Sequence, residues 1–549
     1  MRRRDFLTSA VSAAITSAAP ASPGFQLVNV TAKAGIRFTH NSGAFGKKYL
    51  PETMGSGCAF LDYDGDGWQD ILLVNSKPLS QAKGPASTLA LYKNNRDGTF
   101  RDVTREAGLA VPMYGMGVAA ADFDNDGFPD IFVSCLGQSR LFKNTGKGTF
   151  IDVTRPAGLD GRTAFSSSAM WFDYDRDGLL DLFVCNYVRW SPELDVYCTA
   201  DGKTKAYCTP EAYRGSTAWL FRNLGNGKFE DVTAKSGIFD MSSKSLGVAL
   251  LDYDKDGWPD LFVANDTQPN KLYRNQRNGT FQEIAVKAGV AFSEEGKARA
   301  GMGVDVADYD NSGASGLAVT NFQNEMIGLY RSSEGGLYTD QAPRSEIGRL
   351  SRRSLGFGCF FFDADLDSRL DLLVVNGHID NTAKALPQAQ APHLFWNLGS
   401  GQFRDIATEV GSDFAAPKIG RGAAFGDFDN DGDLDVLLTT NNGPAYLYRN
   451  DVTNGNRSLR LKLRGTKSNR DGIGATIQCH IAGGQVMSRT VKTGGSYLSQ
   501  CELPATFGLG KQNSAQRVVI AWPSGTTDEH TNLAAGKYEC IEGSKPVRR

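Results

Sequence analysis

The residues best suited to chemistry in this sequence are aspartates that recur at fixed spacing. Six segments of nine residues carry Asp at positions 1, 3, 5 and 9. Four carboxylates in one short turn repel each other, and a hard divalent cation with oxygen ligands is the simplest compensation. The pattern therefore predicts metal sites formed by Asp62, Asp64, Asp66 and Asp70; Asp122, Asp124, Asp126 and Asp130; Asp173, Asp175, Asp177 and Asp181; Asp252, Asp254, Asp256 and Asp260; Asp363, Asp365, Asp367 and Asp371; and Asp427, Asp429, Asp431 and Asp435.

Calcium is the cation that fits these loops best. Alternate positions direct three side chains inward, a Gly at position 6 permits a sharp bend, and position 9 closes the oxygen shell. An EF-hand would need Glu at position 12, where the first loop has Leu73. The alternative is a series of Asp-rich turns that hold no metal. A seventh copy, Asp308/Asp310/Ser312/Gly316, lacks two ligands, so we expect up to six or seven structural Ca²⁺ ions.

The sequence around each loop indicates which elements position it. Short apolar runs, such as residues 58–61 and 71–74, precede and follow the first loop and predict two buried strands. An aromatic–basic–Asn strand end, a Gly turn and a Phe followed by Asp-Val-Thr then predict a second hairpin, as in residues 92–104. Four antiparallel strands, repeated seven times at intervals of about 50 to 60 residues, indicate an all-β, seven-bladed β-propeller.

Two features favour a closed ring over an open array. Residues 25–31 match the end of a unit, whereas the seventh unit stops at Asn450 without that strand, so the N-terminal strand can complete the last blade. A small residue lies five positions before each loop, where the innermost strands crowd round the axis. We therefore assign residues 25–452 to the propeller. The small residues are Gly57, Gly117, Ser168, Gly247, Gly303, Gly358 and Gly422.

Residues 456–541 are predicted to form a separate C-terminal domain. The repeat ends at Asn450, and alternating apolar and polar residues follow, as in residues 459–463 and 517–522. Alternation between Gly turns predicts short strands and therefore a small all-β domain.

These motifs resemble two known families. The acidic loops and blades look like the FG-GAP/VCBS repeats of integrin α-subunits and of bacterial exported propellers. Residues 468–475, 495–500, 507–510 and 522–525 together resemble the ASPIC/UnbV domain. The combination is similar to the cartilage acidic protein family. The resemblance implies that the loop ions are structural, and it carries metal ligation only to the aspartates given above.

The N-terminal residues indicate export. Residues 2–7, Arg-Arg-Arg-Asp-Phe-Leu, precede a weakly apolar, Ala- and Ser-rich stretch and a small-residue site near Ala19. This order is typical of a twin-arginine signal peptide, which we place at residues 1–21. No other stretch has the roughly 18 apolar residues that a membrane span needs. We therefore expect a secreted protein, periplasmic or extracellular, with no membrane span.

Composition indicates which class of partner is unsupported and whether disulfides can form. With 59 Lys+Arg against 61 Asp+Glu, the net charge of −2 provides no basic field for nucleic acid. Nine cysteines in an exported chain permit disulfides. Cys198 and Cys208, ten residues apart in a polar, turn-rich insertion, are the disulfide candidate.

The sequence carries no recognisable catalytic motif. The five histidines form no metal-spaced pair, and a nucleophile elbow, a phosphate loop and Cys-x-x-Cys are absent. Dispersed Ser/His/Asp catalysis stays open, because its members can lie far apart in sequence. We expect a calcium-stabilised binding or adhesion-type protein that recognises a protein or polysaccharide ligand. The alternative is an exported enzyme acting on polysaccharide at the face opposite the calcium loops.

A recurring Asn marks that opposite face. It lies five residues beyond the last loop position, where the second strand of the unit ends. Asn is also a common turn former at strand ends, so a purely structural role is the alternative. Because loops at such faces carry function, the ligand-face candidates are Asn186, Asn265, Asp266, Asn321, Asn376 and His378.

Overall fold

The computed structural model describes residues 22–79, 87–199, 201–333, 335–380 and 387–549. The predicted signal peptide, residues 1–21, lies outside the described residues. Within these ranges no helix is long and apolar enough to cross a membrane.

The prediction of an all-β propeller is confirmed. Within the described residues the propeller has seven four-stranded antiparallel units, of which five are separate sheets. The second and third units join through Asp130–Gly137 and Ala164–Phe172 into one eight-stranded sheet. From the innermost strand outward, the units are blade 1 (Cys58–Leu61, Asp70–Leu73, Ala90–Asn94, Phe100–Asp102), blade 2 (Gly115–Ala121, Asp130–Gly137, Arg140–Asn144, Phe150–Asp152), blade 3 (Ala164–Phe172, Asp181–Asn186, Trp219–Asn223, Phe229–Asp231), blade 4 (Ser245–Leu251, Asp260–Asn265, Lys271–Asn275, Phe281–Glu283), blade 5 (Val304–Ala307, Gly316–Val319, Gly328–Ser332, Tyr338–Asp340), blade 6 (Gly356–Phe362, Asp371–Asn376, His393–Gly399, Gln402–Asp405) and blade 7 (Gly420–Gly426, Asp435–Thr440, Ala445–Val452, Phe25–Asn29).

The blades form a closed ring. The innermost strand of each blade contacts those of both neighbours, including blade 7 against blade 1. The strand Phe25–Asn29 pairs antiparallel with Ala445–Val452, so the first strand within the described residues is the outermost strand of blade 7. Apolar side chains pack between adjacent sheets, as Phe172 and Leu250 do between blades 3 and 4. Strands that are buried on both faces have continuously apolar sequences, which is why the inner strands show no alternation.

Short helices and one small hairpin occupy the connections between strands. The insertion in blade 3 contains the hairpin Cys198–Thr199 and Lys205–Ala206, and a disulfide joins Cys198 to Cys208. The α-helices are Ala285–Ala288, Glu346–Ser351 and Ala407–Val410, and the 3-10 helices are Leu50–Thr53, Pro210–Ala212 and Ala342–Arg344.

The C-terminal domain consists of two four-stranded sheets. Its apolar core is continuous with that of blades 2 and 3, since Leu461 and Ile520 pack in one cluster with Trp171. The strands of the first sheet, in spatial order, are Ala505–Gly510, Arg457–Arg464, Gly536–Ile541 and Val547–Arg548, and those of the second are Val486–Thr490, Thr476–His480, Ser514–Ala521 and Thr527–Ala534.

A segment of the C-terminal domain, residues 492–503, enters the centre of the propeller ring. We call this segment the plug. It contacts the innermost strand of every blade, so the channel that a ring of sheets would leave is filled by chain. The contacts are, in blade order, Gln500 N to Cys58 O (2.9 Å), Val118 N to Leu498 O (3.0 Å), Trp171 N to Thr493 Oγ1 (2.8 Å), Gly495 N to Val248 O (2.9 Å), Val304 N to Ser496 O (3.0 Å), the Tyr497 ring on the Phe357 ring (5.0 Å between centroids) and Glu502 N to Phe425 O (3.0 Å).

The glycines before the loops lie where the plug and the neighbouring blades approach most closely. A Cβ on Gly57 would fall on the carbonyl oxygen of Leu498 in the plug, and one on Gly303 would fall on the carbonyl oxygen of Phe357 in blade 6. Crowding round the axis therefore has two sources, the adjacent blade and the plug. Any larger side chain at these positions would displace backbone, because neither partner can rotate away.

Candidate metal loops and central pocket

Each acidic loop joins the first and second strands of its blade, and in blades 1 to 6 the first aspartate closes the turn by accepting the N–H at position 6 of the loop. In blade 2, the Asp122 carboxylate accepts the backbone N–H groups of Asp126 (2.9 Å) and Gly127 (2.7 Å). Gly127 has φ = +99°, a left-handed conformation that glycine adopts without steric cost. Neighbouring loops touch, since Asn125 Nδ2 donates to the carbonyl of Gly178 (3.1 Å) in the loop of blade 3. The loops therefore form one continuous face of the ring.

The last aspartate of each loop ties it to the third strand of the blade. Asp130 accepts the N–H groups of Phe123 (3.2 Å) and Asn144 (2.7 Å). Asn144 Nδ2 in turn donates to the carbonyl of Tyr63 (2.7 Å) in blade 1, so the pair also clamps neighbouring blades. Burial raises the pKa of Asp130 to about 9, and the charges of neighbouring loop carboxylates add to the rise. A divalent cation among these carboxylates would offset both effects.

The third position of the loop carries the observation that fits a metal. In six loops its Oδ1 atom is buried and has no hydrogen-bond donor among the described residues, and a buried acceptor of this kind is costly unless a cation faces it. In several loops Oδ2 pairs instead with the basic residue of the third strand, as in Arg274 Nη2 to Asp254 (2.5 Å). The six residues are Asp64, Asp124, Asp175, Asp254, Asp365 and Asp429.

Carboxylate oxygens converge around these buried atoms. In five of the loops, one oxygen from each of three aspartates lies within 4.8 Å of the other two oxygens. One oxygen-ligated cation can bridge this spacing. The residues present therefore fit a hard divalent cation. The groups are Asp62, Asp64 and Asp66; Asp122, Asp124 and Asp130; Asp173, Asp175 and Asp181; Asp252, Asp254 and Asp260; and Asp363, Asp365 and Asp371.

The loop of blade 6 departs from the pattern at position 6. Ser368 replaces the glycine there and adopts φ = +78°, the same left-handed conformation. Its hydroxyl donates to the carbonyl of Gly508 (2.8 Å) in the C-terminal domain, a contact that glycine could not make. The Asp363 carboxylate still accepts the N–H groups of Asp367 and Ser368, both at 2.9 Å. The bend therefore survives the substitution with help from the second domain.

The loop of blade 5 keeps the shape without the full carboxylate set. Asp308 accepts the N–H groups of Ser312 (2.8 Å) and Gly313 (3.0 Å), as the first aspartate does in blades 2, 3, 4 and 6. Gly316 stands at the ninth position, and a Cβ there would fall on the ring of Tyr309. The aromatic ring thus occupies the space of the missing aspartate. This loop offers two aspartates where the other six loops offer at least four.

The C-terminal domain lies against the loop face. Lys462 Nζ is 3.1 Å from Asp62 Oδ2, and Lys537 Nζ is 3.1 Å from Asp427 Oδ2. The N–H of Asp122 donates to Asp471 Oδ2 of the C-terminal domain (2.8 Å). These contacts place positive and polar groups over the first aspartates of three loops. The candidate metal loops and the docking surface of the C-terminal domain therefore lie on the same face.

The four asparagines predicted at the opposite face are buried and bonded locally. Each side-chain amide donates to a backbone carbonyl nearby: Asn186 to Thr217 (2.8 Å), Asn265 to Pro269 (2.9 Å), Asn321 to Met326 (2.8 Å) and Asn376 to Ala391 (2.7 Å). These amides hold the turn or strand that follows the second strand, and none of these four bonds joins one of the asparagines to another. His378 Nδ1 bonds to the carbonyl oxygen of Asp380 (2.9 Å), and its ring packs against Phe322 (5.6 Å between centroids).

Asp266 is the candidate that lines a pocket. The pocket, which we call the central pocket, opens on the face opposite the loops and has a volume of about 130 Å³. Its walls come from the starts of inner strands and the ends of second strands in several blades, including Met302, Phe357 and Tyr187. Below them, Tyr497 of the plug donates to the carbonyl of Met54 (2.9 Å) and packs on Phe357. The plug therefore supports the floor of this pocket.

The Asp266 carboxylate is held in an unusual electrostatic setting. It is 7% exposed and accepts a hydrogen bond from the Tyr187 hydroxyl (2.5 Å). Burial raises the pKa of Asp266 to about 7, the Tyr187 hydrogen bond opposes the rise, and the carboxylates of Glu211 and Glu325 add to it. Perturbed acids in clefts are characteristic of functional sites.

Sequence reasoning missed the acidic partners of Asp266 and the contribution of the plug. Glu211 lies in the blade 3 insertion, Glu325 follows the second strand of blade 5, and Tyr497 is more than 200 residues from Asp266 along the chain. No common spacing links them. The only available signal was that Glu325, like Asp266, follows the end of a second strand.

Fold and loops together define a β-propeller with acidic, metal-type turns and a C-terminal domain seated in its centre. The FG-GAP-like repeat family matches residues 62–133, 129–184, 194–263, 252–315 and 363–438, more than half of the chain. The family described as ASPIC and UnbV matches residues 465–546. The chain therefore belongs to the FG-GAP-like repeat family and carries an ASPIC/UnbV domain, as its motifs predicted.

Curated relatives are similar in sequence to this chain. The chain is 27% identical over 303 residues to cartilage acidic protein 1 of Mus musculus, covering 54% of this chain and 44% of the mouse protein. It is 24% identical over 516 residues to cartilage acidic protein 1 of Xenopus tropicalis, covering 86% of this chain and 71% of the frog protein. Among solved structures, it is similar to the BP39L lectin from Burkholderia pseudomallei, with a TM-score of 0.45, 10% identity, and coverage of 73% of this chain and 97% of the lectin. The matched region spans less than half the length of the mouse relative.

Proposed function

We propose that this protein is an exported, calcium-stabilised binding protein that recognises a protein or polysaccharide ligand at the central pocket. One observation carries the proposal: a pocket of about 130 Å³ lies over the plugged axis, on the face opposite the loops, with a buried carboxylate in its wall. Concave, mostly apolar pockets with a few convergent polar groups are the usual form of ligand sites. The acidic loops then serve to hold the blades that carry this pocket.

Calcium is the cation we assign to the loops. The support is the set of buried, unpartnered Oδ1 atoms at the third position, together with carboxylates at the spacing that oxygen-ligated Ca²⁺ accepts. When bound, the ion supplies positive charge among the loop carboxylates and performs no reaction step. The loop backbones, closed by the first aspartate, hold the ligand oxygens in place.

A binding screen on the full mature chain tests the ligand proposal. The calcium-loaded protein is applied to an array of polysaccharides and extracellular proteins, with the Asp266→Asn variant as the matched control. We expect at least one ligand whose binding weakens at least tenfold in the variant. A ligand that binds both proteins equally would place the site elsewhere and contradict the proposal.

An enzyme acting on polysaccharide is the second candidate, favoured by one observation. The pKa of Asp266, about 7 through burial, is the value a general acid or base needs near neutral pH. Turnover of a polysaccharide, lost in Asp266→Asn with binding retained, would establish the enzyme. Binding without turnover across the array would favour the binding protein.

Export by the twin-arginine route is proposed from residues 2–7. Replacing Arg3 and Arg4, the pair in the Arg-Arg-x-Phe-Leu order, with Lys should leave the protein in the cytoplasm, as measured by cell fractionation. A matched Arg2→Lys variant should still be exported. Unchanged export of the double variant would exclude this route.

A further inference from the structure

We infer that the central pocket receives a basic side chain, lysine or arginine, presented by a protein partner. This inference rests on the proposed function of the pocket as a ligand site and names the chemistry of the group that enters it.

The charged residues that line the pocket are acidic. Among the described lining residues, the charged ones are Glu211, Asp266 and Glu325. Two of these carboxylates each accept a hydrogen bond: the Tyr187 hydroxyl donates to Asp266 (2.5 Å), and the N–H of Ala300 donates to Glu325 (2.7 Å). These contacts orient carboxylates without neutralising them. An incoming cation would relieve the repulsion among the three.

Two cations act on these carboxylates from outside the pocket: the charge of Lys244 opposes the rise in the pKa of Asp266, and that of Arg299 opposes the rise in the pKa of Glu325. Lys244 directs its ammonium to the carbonyl of Pro210 (2.8 Å), and Arg299 pairs with Asp340 (2.9 Å). Arg421 is fully buried behind the ring of Phe357, with its guanidinium 3.9 Å from the ring centroid. It donates to three backbone carbonyls. None of these three residues lines the pocket.

The remaining walls suit the stem of a long basic side chain. Met54, Met302, Phe322 and Leu355 give the pocket an apolar lining. Lysine and arginine bury their methylene stems against apolar surface while the charged end reaches polar groups. The volume of about 130 Å³ is close to that of the ~150 Å³ cavity that holds one benzene molecule, so one side chain fits.

A protein ligand explains these features better than a neutral polysaccharide. Neutral sugars would pay to desolvate three carboxylates without pairing any charge. A basic side chain gains charge-assisted hydrogen bonds from the same carboxylates. The size of the pocket also limits entry to one side chain, as expected of an anchor residue at a protein interface.

Calorimetry with small probes tests the inference. The probes are Nα-acetyl-lysine methylamide and Nα-acetyl-arginine methylamide, titrated into the full calcium-loaded chain at low salt. Matched controls are the norleucine and Nε-acetyl-lysine analogues, which keep the stem and remove the charge. We expect the basic probes to bind at least tenfold more tightly than both controls. Equal binding of the norleucine analogue, or no binding of either basic probe, would overturn the inference.

Variants separate the pocket from other acidic surface. Asp266→Asn and Glu325→Gln should each weaken the basic probes at least tenfold, whereas Glu295→Gln, at an exposed carboxylate, should leave binding unchanged. Glu211 is exposed, so Glu211→Gln keeps the test available if a buried variant fails to fold. If a polysaccharide from the array binds and depends on Asp266 while both basic probes fail, the inference is wrong and the proposed function stands. If no array ligand depends on Asp266, the proposed function itself fails.

Discussion

Blades 4 and 5 are neighbours with similar strands, and they differ in what their loops can hold. Blade 4 carries Asp252, Asp254, Asp256 and Asp260, whereas the loop of blade 5 retains only two aspartates. In both loops the first aspartate accepts two backbone N–H groups at 2.8–3.0 Å. In these two blades the first carboxylate closes the turn, and the further carboxylates that could hold a metal are a separate feature of blade 4.

The two blades also differ in how they clamp the preceding blade. In blade 4, the Asn275 backbone N–H donates to the Asp260 carboxylate (2.7 Å). The Asn275 side chain donates through Nδ2 to the carbonyl of Tyr174 (2.8 Å) in blade 3. Blade 5 has Ser332 at this place, so the carbonyl of Tyr253 lacks an amide clamp of this type. Loss of the ninth aspartate and loss of the asparagine occur together, because each holds the other in place.

The third difference lies at the pocket. The residue that follows the strand-end asparagine is Asp266 in blade 4 and Phe322 in blade 5. Equivalent positions thus supply a carboxylate and an aromatic wall to the same pocket. The repeated residues form the ring, and the residues that differ between blades line the pocket.

Removing divalent cations should lower thermal stability more than any other change, because it affects six blades and spares blade 5. A ligand at 100 times its Kd stabilises by about 2.7 kcal/mol per site, so several sites acting together dominate. We expect excess EGTA to lower Tm by ~10 °C or more, as measured by calorimetry, with recovery on adding Ca²⁺. Hydrogen exchange should increase least in blade 5. Superimposable melting curves with and without EGTA would contradict the metal assignment.

Removing one third-position aspartate should distinguish the two blades directly. Asp254→Ala should lose one bound ion, counted by mass spectrometry of metals, and lower Tm by ~5 °C. Asp310→Ala removes an ion pair with the half-exposed Arg331 and a long hydrogen bond from the Ser312 N–H (3.3 Å), and should cost about 1 kcal/mol. Equal ion counts in the two variants would show that blade 5 binds metal as blade 4 does.

The pH dependence of stability should change in Asp266→Asn. The folded pKa of Asp266, about 7, is above its unfolded value, so its contribution is fully present below about pH 4 and is lost as pH rises through 7. The asparagine introduced by this substitution can still accept the Tyr187 hydrogen bond and does not ionise. We expect the Tm of the variant, relative to wild type, to rise by ~3 °C between pH 5 and pH 8.5. Glu295→Gln should show no such trend, and parallel curves for Asp266→Asn would refute the assignment.

Exchanging the strand-end asparagine that joins blade 4 to blade 3 should change the free energy of unfolding least. Asn275→Ser gives blade 4 the residue of blade 5 and leaves the buried carbonyl of Tyr174 without its donor, at a cost of about 1–2 kcal/mol in urea unfolding. The reciprocal Ser332→Asn should change stability by less than about 0.5 kcal/mol, because Gly316 offers no carboxylate to orient the new amide. A large gain from Ser332→Asn would show that the clamp works without the ninth aspartate.

Local patterns were enough to predict the repeat, the all-β propeller and the acidic loops. Turn chemistry, apolar runs and small residues at crowded positions act within a few residues of each other, so they can be read along the chain. Local patterns did not predict the hydrogen bond by which the strand-end asparagine joins its blade to the preceding one. Asn144 recurs in the sequence as a strand-end residue, but its acceptor, the carbonyl of Tyr63, is 81 residues away.

The amino-acid sequence by itself determined the blades, the order of loop carboxylates and the degraded loop of blade 5. Only the tertiary structure decided that residues 492–503 fill the ring and that Asp266 meets Glu211 and Glu325 in one pocket. The physical reason is distance along the chain. Val118 donates to the carbonyl of Leu498 across 380 residues, and such contacts form only after the ring closes and fixes where each strand end lies.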